Sequence, residues 1–326
     1  MDRDQNYTYI FFNFASMQGL VVKSTGSWYL VRSEKGALLE CRLKGKIRLD
    51  DRKTTNPVAV GDIVDYETDK DGSQITRIHE RKNYIIRKSI NLSKQAHILA
   101  SNLDQAVLVA TMVAPRTSLG FIDRFLVTAE AYDIPAKIVF NKKDVLDEDG
   151  LAFQQDIIDL YTSIGYECFL ISSFDLTDVE SLKGILRDKT SLIAGHSGVG
   201  KTTLVNAIDP SLNLRTGDIS AAHLKGTHTT TFAELFPLSF GGNIIDSPGI
   251  KELGLVEMKK EEVGHYFPEI RERMNNCKFN NCLHVNEPHC AVVKAVENGE
   301  ISDERYHSYL GILNGEEMDW NEWELR

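Results

Sequence analysis

Long apolar runs are missing from this chain of 326 residues. None approaches the roughly 20 residues that a membrane-spanning helix needs, so the sequence predicts no membrane segment. The opening Met1-Asp2-Arg3-Asp4-Gln5 is polar and acidic, and Tyr9-Ile10-Phe11-Phe12 is too short for a secretory leader. The expected compartment is the cytoplasm. Cysteine is scarce: there are five, an odd number, and three crowd into fourteen residues near the C-terminus. In a reducing compartment that crowding favours metal binding over disulfides. Positive charge is in deficit, 37 Lys and Arg against 47 Asp and Glu, which excludes a generally sticky polycation. The deficit is uneven. Residues 17–90 carry 15 basic and 10 acidic side chains, a surplus of +5 that leaves −15 for the rest. A basic module on an acidic body is compatible with one face meeting nucleic acid.

The length allows two or three domains. Residues 1–16 match nothing downstream and are left as an unassigned extension, or as residues ahead of a start at Met17. Residues 17–86 read as a β-barrel of the OB type, an RNA-binding module. Its short β-rich runs are Gly19–Val22, Trp28–Val31, Ala37–Cys41, Ile63–Tyr66 and Gln74–Ile78, separated by turn residues. The long connection at 44–60 is basic from Lys44 to Lys53 and suits an oligonucleotide. Residues 81–88 lead into a second domain, 87–258, in which buried strands alternate with helices. Strands are expected at Gln105–Ala110, Ala136–Phe140, Cys168–Ile171 and Ser191–Ala194, and helices near 121–129, 151–164 and 178–188. That order gives a parallel sheet with helices on both faces.

The organising stretch is Gly195-His196-Ser197-Gly198-Val199-Gly200-Lys201-Thr202, a G-x-x-x-x-G-K-[ST] loop between a strand and a helix. Its glycines let backbone N–H groups, on to Thr203, turn around a polyphosphate, and the helix N-terminus adds partial positive charge. Lys201 can reach the β- and γ-phosphates, and the Thr202 hydroxyl can ligate Mg²⁺. At the end of another strand stands Asn141-Lys142-Lys143-Asp144. A carboxylate at Asp144 can accept hydrogen bonds from N1–H and N2–H₂ of guanine, a donor pair that adenine lacks. Asn141 can tie this loop to the phosphate loop, and the Lys142 stem can cover the base. Ser172-Ser173 ends the next strand, where a backbone contact to guanine O6 is expected. Asp246-Ser247-Pro248-Gly249 supplies an Asp near Mg²⁺ and a Gly N–H for the γ-phosphate. The hydroxyl-rich Gly226–Thr231 can pin a hydroxyl, Thr229, to the metal. A P-loop kinase or ATPase would share 195–202 but has no use for 141–144.

Near the C-terminus, Cys277, Cys282, His284 and Cys290 spell C-x₄-C-x-H-x₅-C, with His289 as an alternative imidazole. Three thiolates and one imidazole close a tetrahedral Zn²⁺ shell, a structural site.

The order of these motifs is N-K-x-D, P-loop, Thr loop, D-x-x-G, whereas ordinary small GTPases place N-K-x-D last. The chain resembles the circularly permuted GTPases and, in particular, the bacterial ribosome small-subunit-dependent GTPase A family. The likeness covers about residues 17 to 315. It rests on Pro57–Asp62, Asn102–Gln105, Ile122–Leu126, Gly195–Lys201, His228-Thr229-Thr230 and the cysteine cluster. It implies three domains: an OB barrel, an α/β P-loop GTPase domain in circularly permuted order, and a small α-helical zinc-binding domain at 259–326 with an acidic tail. It also implies His284 as the fourth zinc ligand. The implied function is GTP hydrolysis stimulated by the small (30S) ribosomal subunit during its late maturation. GTP and GDP, Mg²⁺ and one Zn²⁺ are the implied ligands. The partners are the subunit, its rRNA and other assembly factors, met by a monomer. Ile250 follows D-x-x-G where Ras-like enzymes carry a water-positioning Gln, so His228 becomes the candidate for that catalytic role beside Lys201, Thr202, Asp246 and Gly249.

Overall fold

The computed structural model describes residues 16–45, 57–70, 72–88, 96–214, 233–246 and 258–315. Most of the basic connection at 44–60, the Thr loop with His228 and Thr229, Ser247 to Ile250, the first fifteen residues and the tail from 316 lie outside them.

Five strands form the N-terminal barrel: β1 (Met17–Ser24), β2 (Tyr29–Ser33), β3 (Leu38–Leu43), β4 (Ile63–Asp69) and β5 (Gly72–Ile78). They close in the order β1-β2-β3-β5-β4-β1, with β3 and β5 parallel and every other pair antiparallel. Alternation puts Val21, Val31, Cys41, Val64, Tyr66 and Ile75 inside, where they make one apolar cluster. Burial pushes the Cys41 thiol up to about 11, so it is inert core.

The Pro57–Asp62 stretch fastens this barrel to the segment beyond it. Asp62 is fully buried, and its carboxylate takes Nε and an Nη of Arg81, both at 2.7 Å. It also accepts from Ser101 Oγ at 2.6 Å and from the Ala59 N–H at 2.8 Å, so every lone-pair direction is used. Residues 81–88, expected to lead out of the barrel, contain β6 (Tyr84–Lys88), which pairs antiparallel with β7 (Ala96–Ser101).

The central sheet runs β10-β9-β8-β11-β13-β12. β8 (Gln105–Ala110), β9 (Ala136–Phe140), β10 (Glu167–Leu170), β11 (Thr190–Ala194) and β13 (Asn243–Asp246) are parallel; β12 (Glu234–Pro237) is antiparallel at the edge. Strands of such a sheet are buried on both faces, which explains their unbroken apolar runs. Ala106, Leu108 and Ala110 of β8 face α1 (Leu119–Ala131) and α2 (Glu148–Ser163). Val107 and Val109 face α3 (Leu176–Leu186) and α4 (Lys201–Ile208). The helices begin two or three residues earlier than periodicity predicts, because polar caps precede the apolar stripe. Ser118, Asp147 and Asp175 accept from backbone N–H groups of the first turns of α1, α2 and α3.

β12 also pairs with β1 of the barrel, at Lys23 opposite Glu234, and the two side chains form an ion pair at 2.8 Å. Arg32 of β2 donates to Asn243 Oδ1 at 2.7 Å. Barrel and central sheet are thus one continuous eleven-stranded surface.

The C-terminal segment folds as α5 (Lys260–Val263), α6 (Pro268–Met274), α7 (Ala291–Glu297) and α8 (Asp303–Asn314). Val127 of α1 belongs to its apolar cluster with Phe267, Ile270, Val292 and Tyr309, so the segment rests on the central domain. No helix among the described residues is long and apolar enough to cross a membrane.

Candidate functional site

The phosphate loop leaves β11 at Gly195 and enters α4 at Gly200, which is the helix cap with φ +95°. Both glycines are required by their surroundings as well as by conformation. A Cβ on Gly195, at φ +145°, would lie 2.1 Å from the Val109 carbonyl oxygen, and one on Gly200 would lie 2.5 Å from Asn141 Nδ2. That second approach brings the two loops together. Asn141 Nδ2 donates to the Val199 carbonyl at 2.9 Å. Its Oδ1 accepts from Ser173 Oγ at 3.0 Å and from the Ser173 N–H at 3.2 Å. One buried amide therefore joins the ends of β9, β10 and β11.

Asp144 stands exposed in a short 3₁₀ turn just beyond. Lys142 adopts φ +69° and donates through Nζ to the Ala114 carbonyl. Lys143 turns the other way, onto Asp178 at 2.6 Å and Asp175 at 3.2 Å. The hydrogen bond to Asp178 is the main reason its pKa is raised. Ser172 N–H goes to Asp178 Oδ2 at 2.8 Å. In this arrangement the two serine N–H groups order Asn141 and α3, so the contact expected with a base oxygen would need one of them released. Sequence pattern does not single out Asp175 and Asp178, whose only signal is their place at the start of a helix.

Lys201 is 5% exposed and donates to the carbonyls of Gly195 and His196, both at 2.7 Å. Burial pulls its pKa down to about 8, against the opposing pull of Asp246 at the end of β13. Thr202 is buried beside it, and Thr203 half-buried. Two consequences of opposite sign arise. The unfolded chain holds this proton more tightly, so the free protein gains stability as pH rises from about 8 toward 10.5. Polyphosphate affinity should instead fall above pH 8, by up to roughly tenfold per pH unit, because an anion holds the protonated form. Titrating a fluorescent GDP analogue from pH 7 to 9.5, beside thermal melts of the free protein, checks both.

The second constellation is at the C-terminus. One ligand atom from each of Cys277, Cys282, His284 and Cys290 lies within 4.8 Å of the others. His284 Nδ1 is 3.5 Å from Cys277 Sγ and from Cys290 Sγ, and those sulfurs are 3.9 Å apart. A tetrahedral ion with bonds of about 2.3 Å to sulfur and about 2.0 Å to nitrogen requires edges of about 3.8 and 3.5 Å. The donor set fits zinc in both chemistry and spacing. His289 is exposed and outside the group, so of the two imidazoles only His284 stands among the sulfurs. Supports surround the cluster: Tyr306 donates to the His284 carbonyl at 2.7 Å and Tyr309 to the Leu283 carbonyl at 2.6 Å. Glu287 accepts the N–H groups of Leu283, Val285 and Asn286. Burial above all pushes the Cys282 thiol up to about 12. A cation is what would hold the sulfurs as thiolates.

Residues 78–256 match the family model for the RsgA GTPase, and residues 18–75 match that for the RsgA N-terminal domain. The chain belongs to the RsgA GTPase family. The small ribosomal subunit biogenesis GTPase RsgA of Flavobacterium johnsoniae is 56% identical over 305 residues, covering 92% of this chain and 94% of that protein. The protein of the same name from Bacteroides fragilis is 54% identical over 302 residues, covering 92% and 97%. Among solved structures, YjeQ from Thermotoga maritima aligns with a TM-score of 0.76 at 36% identity, over 92% of this chain and 98% of that one. YloQ, described as a circularly permuted GTPase, gives 0.71 at 33%, over 96% and 97%.

RsgA membership makes this chain a GTPase with a circularly permuted nucleotide domain, the architecture expected from motif order. Among the expected site residues, the structure draws together Asn141, Ser173, Val199, Gly200, Lys201 and Asp246. His228, Thr229 and Gly249 fall outside the described residues. Cys168, half-buried with its thiol pushed up to about 11, is core like Cys41.

Proposed function

We propose that this chain binds the small ribosomal subunit and hydrolyses GTP during that subunit's late maturation, faster on the subunit than alone. The observation that carries the nucleotide half is the Asn141 amide, which fastens the base-reading loop to the phosphate loop. The ribosomal half is supported by relatives named small ribosomal subunit biogenesis GTPase and by the basic surplus of residues 17–90.

In this reading the domains divide as 17–86, an RNA-facing barrel; 87–258, the GTPase; and 259–326, the zinc-binding segment. The guanine edge lies on Asp144, with Lys142 across the ring and the 172–173 turn beside it. Backbone N–H groups of 198–203 and the Lys201 ammonium take up charge on the β–γ bridge as it breaks. Thr202, Thr229 and Asp246 would hold Mg²⁺, which when bound neutralises phosphate charge. Gly249 would address the γ-phosphate, and His228 would orient water, a role that Ile250 cannot fill. The protein works on the subunit in the cytoplasm, as a monomer that other assembly factors meet there.

The test is GTP turnover with and without purified small subunits, at stated and varied salt because phosphate contacts are salt-sensitive. Turnover is expected to rise on the subunit, and Lys201→Ala to lose about 10²–10³-fold. Equal rates with and without subunits would remove the ribosomal half. His228→Ala should bind GTP normally yet lose the stimulated rate; wild-type stimulation in that variant rules the histidine out.

A further inference from the structure

The Ile122–Leu126 motif has no part in binding or chemistry so far, yet α1 touches both ends of the molecule's working parts. The Phe121 ring lies against the His196 imidazole of the phosphate loop, with centroids 3.8 Å apart. Two residues on, Asp123 is fully buried and bonded to Arg305 of α8 at 2.6 Å. Arg305, 1% exposed, also bonds Glu269 of α6 at 2.7 and 3.2 Å. Tyr161 of α2 donates to the same Asp123 oxygen at 2.7 Å.

Positions i and i+2 of a helix point about 200° apart, so Phe121 and Asp123 project from nearly opposite sides of one turn. That turn is rigid: Ser118 caps it by accepting the Phe121 N–H, and Ile122, Phe125 and Leu126 are buried in the central core. The charge balance makes the far side tight. One guanidinium serves two buried carboxylates, and Asp123 Oδ2 has no hydrogen-bond partner among the described residues. Any shift of α8 therefore strands a buried carboxylate unless α1 moves with it.

We propose that the first turn of α1 is a positioning element that couples the phosphate loop to the C-terminal domain, with Phe121 setting His196 and the Asp123–Arg305–Glu269 network transmitting the domain's position. The inference rests on the reading of 195–202 as the nucleotide site. If the wild-type chain fails to bind GDP, that reading falls; the coupling is tested separately.

The experiment is a double-mutant cycle in the full chain, reading the GDP dissociation constant beside the melting temperature. Phe121→Leu and Arg305→Lys are each expected to weaken GDP binding by about 3–10-fold, and the double variant no more than the weaker-binding of the two. Phe121→Tyr, which keeps the ring, should bind like the wild type. Effects that multiply, or a lowered melting temperature with GDP affinity unchanged, would overturn the proposal. If Arg305→Lys does not fold, Glu269→Gln replaces it in the same cycle, since it removes the surplus negative charge while keeping the side-chain shape.

Discussion

Asp144→Asn is expected to weaken GTP and GDP binding by about 10³–10⁴-fold and to create measurable affinity for xanthine nucleotides. The reason is a mismatch of donors. Guanine offers N1–H and N2–H₂ side by side, and a carboxylate accepts both. An asparagine amide turns an N–H₂ group toward one of them, leaving two donors opposed and desolvated. Xanthine carries a carbonyl where guanine has its N2 amine, which restores a donor–acceptor pair. Asp144 is exposed and lies in a three-residue turn, so the substitution should leave the melting temperature nearly unchanged. Competition of GTP, XTP and ATP against a fluorescent GDP analogue measures the shift. Unaltered GTP affinity in the variant would mean that the base sits elsewhere.

Stripping the metal from the cysteine–histidine cluster should have the other large effect. About one zinc per chain is expected by elemental analysis, and a strong chelator should melt residues 258–315 well below the remaining domains. Structural zinc contributes apparent binding energies of about 10–16 kcal/mol in small finger peptides at neutral pH. The cost here should be smaller, because Phe267, Ile270, Val292 and Tyr309 give this segment an apolar cluster of its own. His284→Ala should lose the metal and His289→Ala should keep it, since only the first imidazole lies among the sulfurs. A zinc content untouched by His284→Ala would contradict the ligand set.

These two sites differ in how far the sequence reveals them. The glycine loop and Asn141–Asp144 are legible because each comes after a strand buried on both faces, and such strands announce themselves as apolar runs. The barrel strands are legible through alternation and turn residues. The residues alone admit His284 or His289 and the resemblance favours His284; both take positive φ, and the folded loop turns His284 toward the sulfurs. β12 escapes notice because four residues ending in proline carry little periodicity. Arg305 sits in Asp303-Glu304-Arg305-Tyr306-His307, a polar run with no local sign of burial. Its burial depends on carboxylates 36 and 182 residues away, a distance at which local pattern is silent. The same holds for Phe121, an aromatic at a helix start whose partner is far along the chain.

The pairing of β12 with β1 has a mechanical consequence. β12 is the next element after the Thr loop, and its other edge is zipped to β13, which ends in Asp246. A displacement of β12 would therefore arrive at the barrel through the β12–β1 pairing and the Lys23–Glu234 ion pair. The barrel is then less a tethered passenger than a lever arm joined to β12. A small displacement at the Asp246 end of β13 would swing the barrel with it.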